Sequence, residues 1–151
     1  MKSAFSITYK VSKTFKAPLD FVFTWCTDFQ EDDLKMIGSK NRRNIVEKTK
    51  RRVIWTVEGK KLPTQTDPVR VVWLRPPNSW HLEGCGDVSE TGEYRLTTAG
   101  KSKTRLDMTF TETYSERSKV PSKKELEAEA RDHWVHYGKH LEEDYRASVS
   151  K

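Results

Sequence analysis

The sequence predicts an α+β domain in which a seven-stranded, curved antiparallel sheet is covered on its concave face by one long C-terminal helix. Three observations lead there. Short runs of alternating apolar and polar residues recur from Phe5 to Tyr114. Turn-forming residues separate those runs. A segment from Ser122 to Val149 contains no Pro and carries apolar residues at helical spacing. A sheet with one apolar face needs a cover, and this segment is the only long amphipathic element available.

Phe5, Ile7, Tyr9, Val11 and Phe15 alternate with polar residues, the period-2 signature of a strand with one buried face. Ala17-Pro18 ends it, and Pro fits the first turn of a helix in which Phe21, Val22, Trp25 and Cys26 recur at helical spacing. A second short helix is expected from Gln30 to Met36, closed by Gly38. Arg43–Lys50 and Arg52–Gly59 read as a basic hairpin, and a strand follows from Val69 to Leu74. Pro76-Pro77-Asn78 is a turn. Trp80, Leu82 and Val88 alternate through a segment whose Gly84 and Gly86 suggest a bend or bulge. The last hairpin runs from Gly92 through Thr98, turns at Ala99-Gly100-Lys101-Ser102 and returns through Leu106, Met108 and Phe110 to Tyr114. Ser122 with Glu125 three residues on forms a capping-box signature. Leu126, Ala130, Trp134, Tyr137, Leu141 and Tyr145 then share one stripe, and fraying is expected only after Arg146.

Composition fits a single domain over residues 1–151. Apolar residues make up only 34 %, but five Trp, six Phe and five Tyr supply large buried areas, which argues against disorder. The net charge is +6, too small by itself to imply nucleic-acid binding. It is unevenly spread: ten basic residues lie between Lys35 and Lys61, against Glu47 and Glu58. Cys26 and Cys85 cannot frame a disulfide scaffold, and both are expected to be buried structural thiols. The N-terminus lacks a signal-peptide apolar core, and no run approaches a membrane span, so a cytoplasmic, monomeric protein is expected.

The order of elements resembles the helix-grip fold of the START-like superfamily, also called SRPBCC, which includes birch-allergen-like proteins, polyketide cyclases and lipid-transfer domains. Two segments carry the resemblance. One is Thr14-Phe15-Lys16-Ala17-Pro18-Leu19-Asp20-Phe21-Val22-Phe23 with Asp28-Phe29; the other is the last hairpin, from Gly92-Glu93-Tyr94-Arg95-Leu96 to Thr111-Glu112-Thr113-Tyr114. Lys35 to Asp67 shows no motif of the family, and its basic character departs from the commonest members. The resemblance implies a cavity between the last helix and the sheet.

Trp73, Trp80, Tyr94, Met108 and Phe110 from the strands and His133, Trp134, Tyr137 and Leu141 from the helix are the candidate ligand-binding residues. The same side chains also suit a solid core, because protein interiors are close-packed by default. Trp55 belongs to the same aromatic set. His136 and His140 have metal-ligand spacing but lack the Glu of a zinc-protease motif, so no metal is expected, and no cofactor motif is present. Glu31, Asp28, Asp32 and Asp33 match no Ca²⁺ loop and read as a solvated helix end. The basic hairpin reads as a solvated edge. The function expected is binding or transport of a hydrophobic small molecule such as a lipid or polyketide. A cyclase or aromatase-type enzyme is an alternative, although no acid–base pair stands out. A third is an interaction module of the Hsp90-activator type, or a weak nucleic-acid or anionic-surface binder through residues 35–61.

Overall fold

The structure, a computed structural model, describes residues 5–58, 69–86, 88–116 and 120–150. Seven strands, β1 (Phe5–Phe15), β2 (Arg42–Lys48), β3 (Arg52–Glu58), β4 (Val69–Arg75), β5 (Ser79–Cys85), β6 (Ser89–Gly100) and β7 (Lys103–Tyr114), form one antiparallel sheet. Their spatial order is β1-β7-β6-β5-β4-β3-β2. Successive strands are neighbours throughout, except that β1 joins the far side of β7. Helix α1 (Leu19–Thr27) and a 3-10 turn (Asp33–Ile37) connect β1 to β2, and helix α2 (Lys123–Val149) ends the fold. The expected fold class is therefore the observed one.

Alternation decides which residues face α2. Tyr9 pairs with Phe110, Val11 with Met108 and Phe15 with Thr104 across β1 and β7, so their side chains share the concave face. Tyr9, Val11 and Met108 pack against Leu126 and Ala130 of α2. Farther along, Phe15 is fully buried and meets the Trp134 ring edge-on at 6.0 Å. Helix and sheet are in tight contact there: a Cβ on Gly138 would lie 3.3 Å from the Phe15 ring. Gly138 is thus a crossing point.

The Ser122 side chain accepts from the Glu125 backbone N–H at 3.1 Å, the expected cap. The helix stays regular three residues beyond Arg146. At 27 residues and about 1.5 Å rise each it is about 40 Å long, enough to cross the sheet and reach α1. There Tyr145 packs on Phe21 at 5.1 Å, and the Trp25 indole N–H donates to Asp144 at 2.8 Å. The Thr104 hydroxyl, fully buried, donates to the Ala17 carbonyl at 2.8 Å and fixes the corner between β1 and α1.

Several local expectations need correction. The helix expected over Gln30–Met36 forms only as the 3-10 turn, because the Asp33 carboxylate accepts from the Gln30 N–H at 2.9 Å and holds residues 30–32 outside it. Gly38 closes that turn at φ +76, a conformation glycine adopts without strain. Gly84 makes no bulge: β5 pairs in continuous register with β4 and β6, and the strand ends at Cys85, before Val88. Its missing side chain makes room for Arg70, whose Cδ would lie 2.7 Å from a Cβ there. β6 begins at Ser89, with Gly92 inside it. Cys85 is exposed. Gly59, Lys60 and Lys61, at the end of the expected hairpin, lie outside the described residues.

The acidic and basic clusters also need a joint reading. Arg42 pairs with Glu31 at 3.0 Å, Lys48 with Asp28 at 2.8 Å, and Arg43 with Asp33. Asp28, Glu31 and Asp33 are thus ion-pair partners of β2, not a freely solvated helix end.

Candidate functional site

Between α2, α1 with the 3-10 turn, and the concave face of the sheet lies a cavity of about 410 Å³. The sheet contributes Tyr9, Trp55, Trp80, Leu82, Tyr94, Met108 and Phe110, with Arg43 at the β2 end. The helix contributes Ala130, His133, Trp134, Tyr137 and Asp144. The third wall is Trp25, Cys26, Asp28, Phe29, Gln30, Asp33 and Met36.

The walls are aromatic and mutually braced. Trp80 and Tyr94, direct cross-strand partners, stack with centroids 5.0 Å apart and planes 8° apart. Trp134 and Tyr137 meet at 5.5 Å, and Trp25 closes on Tyr137 at 6.4 Å. Gly92 lets the floor form: a Cβ there would stand 2.8 Å from the Tyr94 ring and 2.9 Å from the Phe110 ring. At the β2 end Phe29 stacks on Trp55 at 4.8 Å. The Arg43 guanidinium carbon lies 4.8 Å from the Trp55 centroid and 5.1 Å from that of Phe29, while Nη1 donates to Gln30 O at 3.2 Å and to the Asp33 carboxylate. Stacking and pairing together hold that cation in place.

Besides Asp28, Gln30, Asp33, Arg43 and Asp144, the polar side chains of the lining are Cys26, His133 and three tyrosines. Among the described residues no hydrogen bond reaches the hydroxyls of Tyr9, Tyr94 or Tyr137. Burial pushes the Tyr94 and Tyr137 phenols above their ordinary value, with Arg43 opposing in both cases, so both remain neutral donors at pH 7. Burial also pushes the Cys26 thiol up, which leaves it protonated and poorly nucleophilic. His133 Nε2 lies 3.9 Å from Glu129 Oε1, too far for a hydrogen bond. Among the described residues no group of three His, Cys, Asp or Glu could hold a metal ion.

Of the nine candidates read from sequence, Trp80, Tyr94, Met108, Phe110, His133, Trp134 and Tyr137 border the cavity. Trp73 does not. Val72 beside it is fully buried on the concave face, so strand alternation turns Trp73 outward against His81 at 5.6 Å. Leu141 does not either, because it is fully buried in the solid core with Phe15 and Leu106. The residues missed come mainly from α1, the 3-10 turn and β2. Tyr9, Leu82 and Ala130 were legible as concave-face or stripe positions, whereas Arg43 was hidden in what reads as surface charge.

No family model and no curated protein matches the chain by sequence. Solved structures do match in shape. The Zhui aromatase/cyclase from Streptomyces sp. R1128 superposes with a TM-score of 0.69 at 16 % identity, covering 96 % of each chain. Ara h 8.0201 gives 0.69 at 11 % identity, over 91 % of this chain and 98 % of its own. Norcoclaurine synthase from Thalictrum flavum, crystallised with dopamine and hydroxybenzaldehyde, gives 0.66 at 11 % identity, over 93 % and 89 %. These likenesses bear out the resemblance at the level of the fold: the chain has the helix-grip fold of the START-like proteins.

Proposed function

We propose that this protein binds a hydrophobic, ring-bearing small molecule in the cavity under α2 and acts as its carrier. One observation carries the reading: an aromatic-walled space of about 410 Å³ lined in part by three tyrosines whose hydroxyls have no hydrogen bond to any described residue. That volume lies within the ~300–1,000 Å³ of small-molecule sites. A solid core leaves no such volume. Burying about 200 Å² of apolar ligand surface contributes about 5 kcal/mol before immobilisation costs. The hydroxyls of Tyr94 and Tyr137 then set orientation and favour a ligand with oxygen or nitrogen functions over a plain hydrocarbon.

The test is mass spectrometry of an organic extract of the purified protein, combined with titration by a neutral, environment-sensitive dye. A near-stoichiometric small molecule, or saturable dye binding displaced by apolar compounds, supports the carrier reading. Absence of both overturns it.

A cyclase-type activity is the second reading. It is favoured by His133, Tyr94 and Tyr137 bordering one cavity, three groups able to move protons around a folded, reactive chain. Turnover of a linear poly-β-ketone analogue, lost on His133→Ala, supports it. The basic segment offers less to a surface-binding reading, since Arg42, Arg43, Lys48 and Arg52 are each paired with a carboxylate.

A further inference from the structure

The cavity lining carries Asp28, Asp33 and Asp144 against Arg43, and two further carboxylates, Glu90 and Glu112, lie just outside it, one same-face position beyond Gly92 and Phe110. Next to the row Val72, Leu82, Gly92, Phe110 and Tyr9, the adjacent same-face row is Arg70, Gly84, Glu90, Glu112 and Ile7, in register across five strands, and it places three charged side chains side by side. Glu90 and Glu112 are direct cross-strand partners, a like-charge pair that costs stability. Arg70 is committed to Glu90 by two contacts, Nη2–Oε1 at 2.9 Å and Nε–Oε2 at 2.8 Å, with both side chains largely buried. Glu112 accepts only from the Tyr114 hydroxyl, at 2.6 Å, and no basic side chain among the described residues pairs with it.

Tyr9 sits beside this pair. It is 6 % exposed and borders the cavity, and no hydrogen bond reaches its hydroxyl among the described residues. Burial first, and then Glu112, Glu90 and Glu129, push its phenol far above the ordinary value, so the field at that hydroxyl is negative. At the other end, Asp33 and Asp28 are matched by Arg43 and Lys48, and Asp144 accepts from the Trp25 indole. Among the described residues the one Lys or Arg of the lining, Arg43, is thus already paired. None is left for a carboxylate ligand, whereas ring faces and a surplus carboxylate await a positive charge.

We propose that the ligand is an organic cation, a hydrophobic amine whose ammonium lies at the Glu90–Glu112 pair beside the Tyr9 hydroxyl and whose ring body lies among Phe110, Tyr94 and Trp134. This rests on the carrier reading and narrows it. Amine binding separates two carboxylates by a cation, so it relieves a repulsion built into the unliganded sheet. It also gives the Tyr9 hydroxyl a donor to accept from.

Three probes of one shape test the idea on the full chain: naphthylmethylammonium, naphthylmethanol and naphthoate, each displacing the neutral dye. The ammonium is expected to bind about tenfold tighter than the alcohol, and naphthoate weakest. Glu112→Gln keeps an acceptor for Tyr114 and is expected to bring the ammonium down to the alcohol's affinity, leaving the alcohol unchanged. Tyr9→Phe is expected to weaken the ammonium a few-fold. Equal binding of all three probes to the wild type overturns the cation proposal and leaves the carrier reading standing. Failure of all three to bind overturns both. An ammonium preference that survives Glu112→Gln overturns the placement. The wild-type comparison needs no variant, so it stands even if a substitution unfolds the chain.

Discussion

Replacing Met108 by Trp separates a cavity from a core. Met108 is 5 % exposed and projects from β7 between the paired positions Val11 and Tyr94. Were its surroundings solid, a larger side chain would force off-rotamer packing at a cost of about 1–3 kcal/mol. For a domain of this length that lowers the melting temperature by roughly 2–12 °C, at about 2–4 °C per kcal/mol. The structure instead puts about 410 Å³ of empty space beside it. The indole has room, so the expected cost is below about 1 kcal/mol, a shift of a few degrees at most. Dye affinity is expected to fall at least tenfold, because the ring occupies the ligand's place. Thermal melts and dye titrations of the same preparation read both quantities. A melting temperature lowered by ten degrees with dye binding intact would refute the reasoning.

Leu141→Ala is the converse. Leu141 is fully buried and does not border the cavity, so the substitution costs about 2–5 kcal/mol while dye binding per folded molecule stays unchanged; chemical denaturation and titration check it. Thr104→Val keeps the shape but leaves the Ala17 carbonyl unpaired in the core, a loss of about 1–3 kcal/mol by the same denaturation assay. Asp28 supplies the pH dependence. The Lys48 ammonium, and then Gln30, hold its carboxyl below the usual value of 3.8, so the folded state binds that proton less readily than the unfolded one. Its contribution is complete above about pH 4 and is lost as pH falls through the lowered value. Because the pair is half exposed, Asp28→Asn is expected to cost no more than about 1 kcal/mol at pH 7 and progressively less below pH 4, measured by melts across that range.

Strict periodicity made most of the frame legible. Eleven residues of β1 and the stripe of α2 carry one pattern each, and the bounds of β1 and the capping residue of α2 follow from it. The cavity residues on β5, β6, β7 and α2 were legible for the same reason. Trp73 lies where alternation is ambiguous. In Val-Arg-Val-Val-Trp-Leu-Arg every inner position but one is apolar, so alternation does not say which face is inside, and a shift of one residue moves each side chain to the opposite face. Gly84 and Gly92 pose a different problem. Gly84 was read through its own backbone and Gly92 as a strand start, yet each makes room for a neighbour's side chain, Arg70 in one case and Tyr94 with Phe110 in the other.

What local reading could not reach is the relation between two segments of opposite charge. Residues 28–33 and 42–52 each look solvated when taken alone, because charge runs usually are. Placed against one another they make a set of ion pairs and hydrogen bonds that serve the cavity. The 3-10 turn contains no buried residue, so apolar packing does little to hold it. Glu31 with Arg42 and Asp28 with Lys48 are half exposed and contribute at most about 1 kcal/mol each. Arg43 differs. Its side chain is only 11 % exposed, it is paired with Asp33, it donates to the Gln30 carbonyl, and it lies over both Phe29 and Trp55. One side chain therefore joins β2, β3, the segment after α1 and the 3-10 turn at the end of the cavity. The residue that looked most like surface charge is the one on which that end closes.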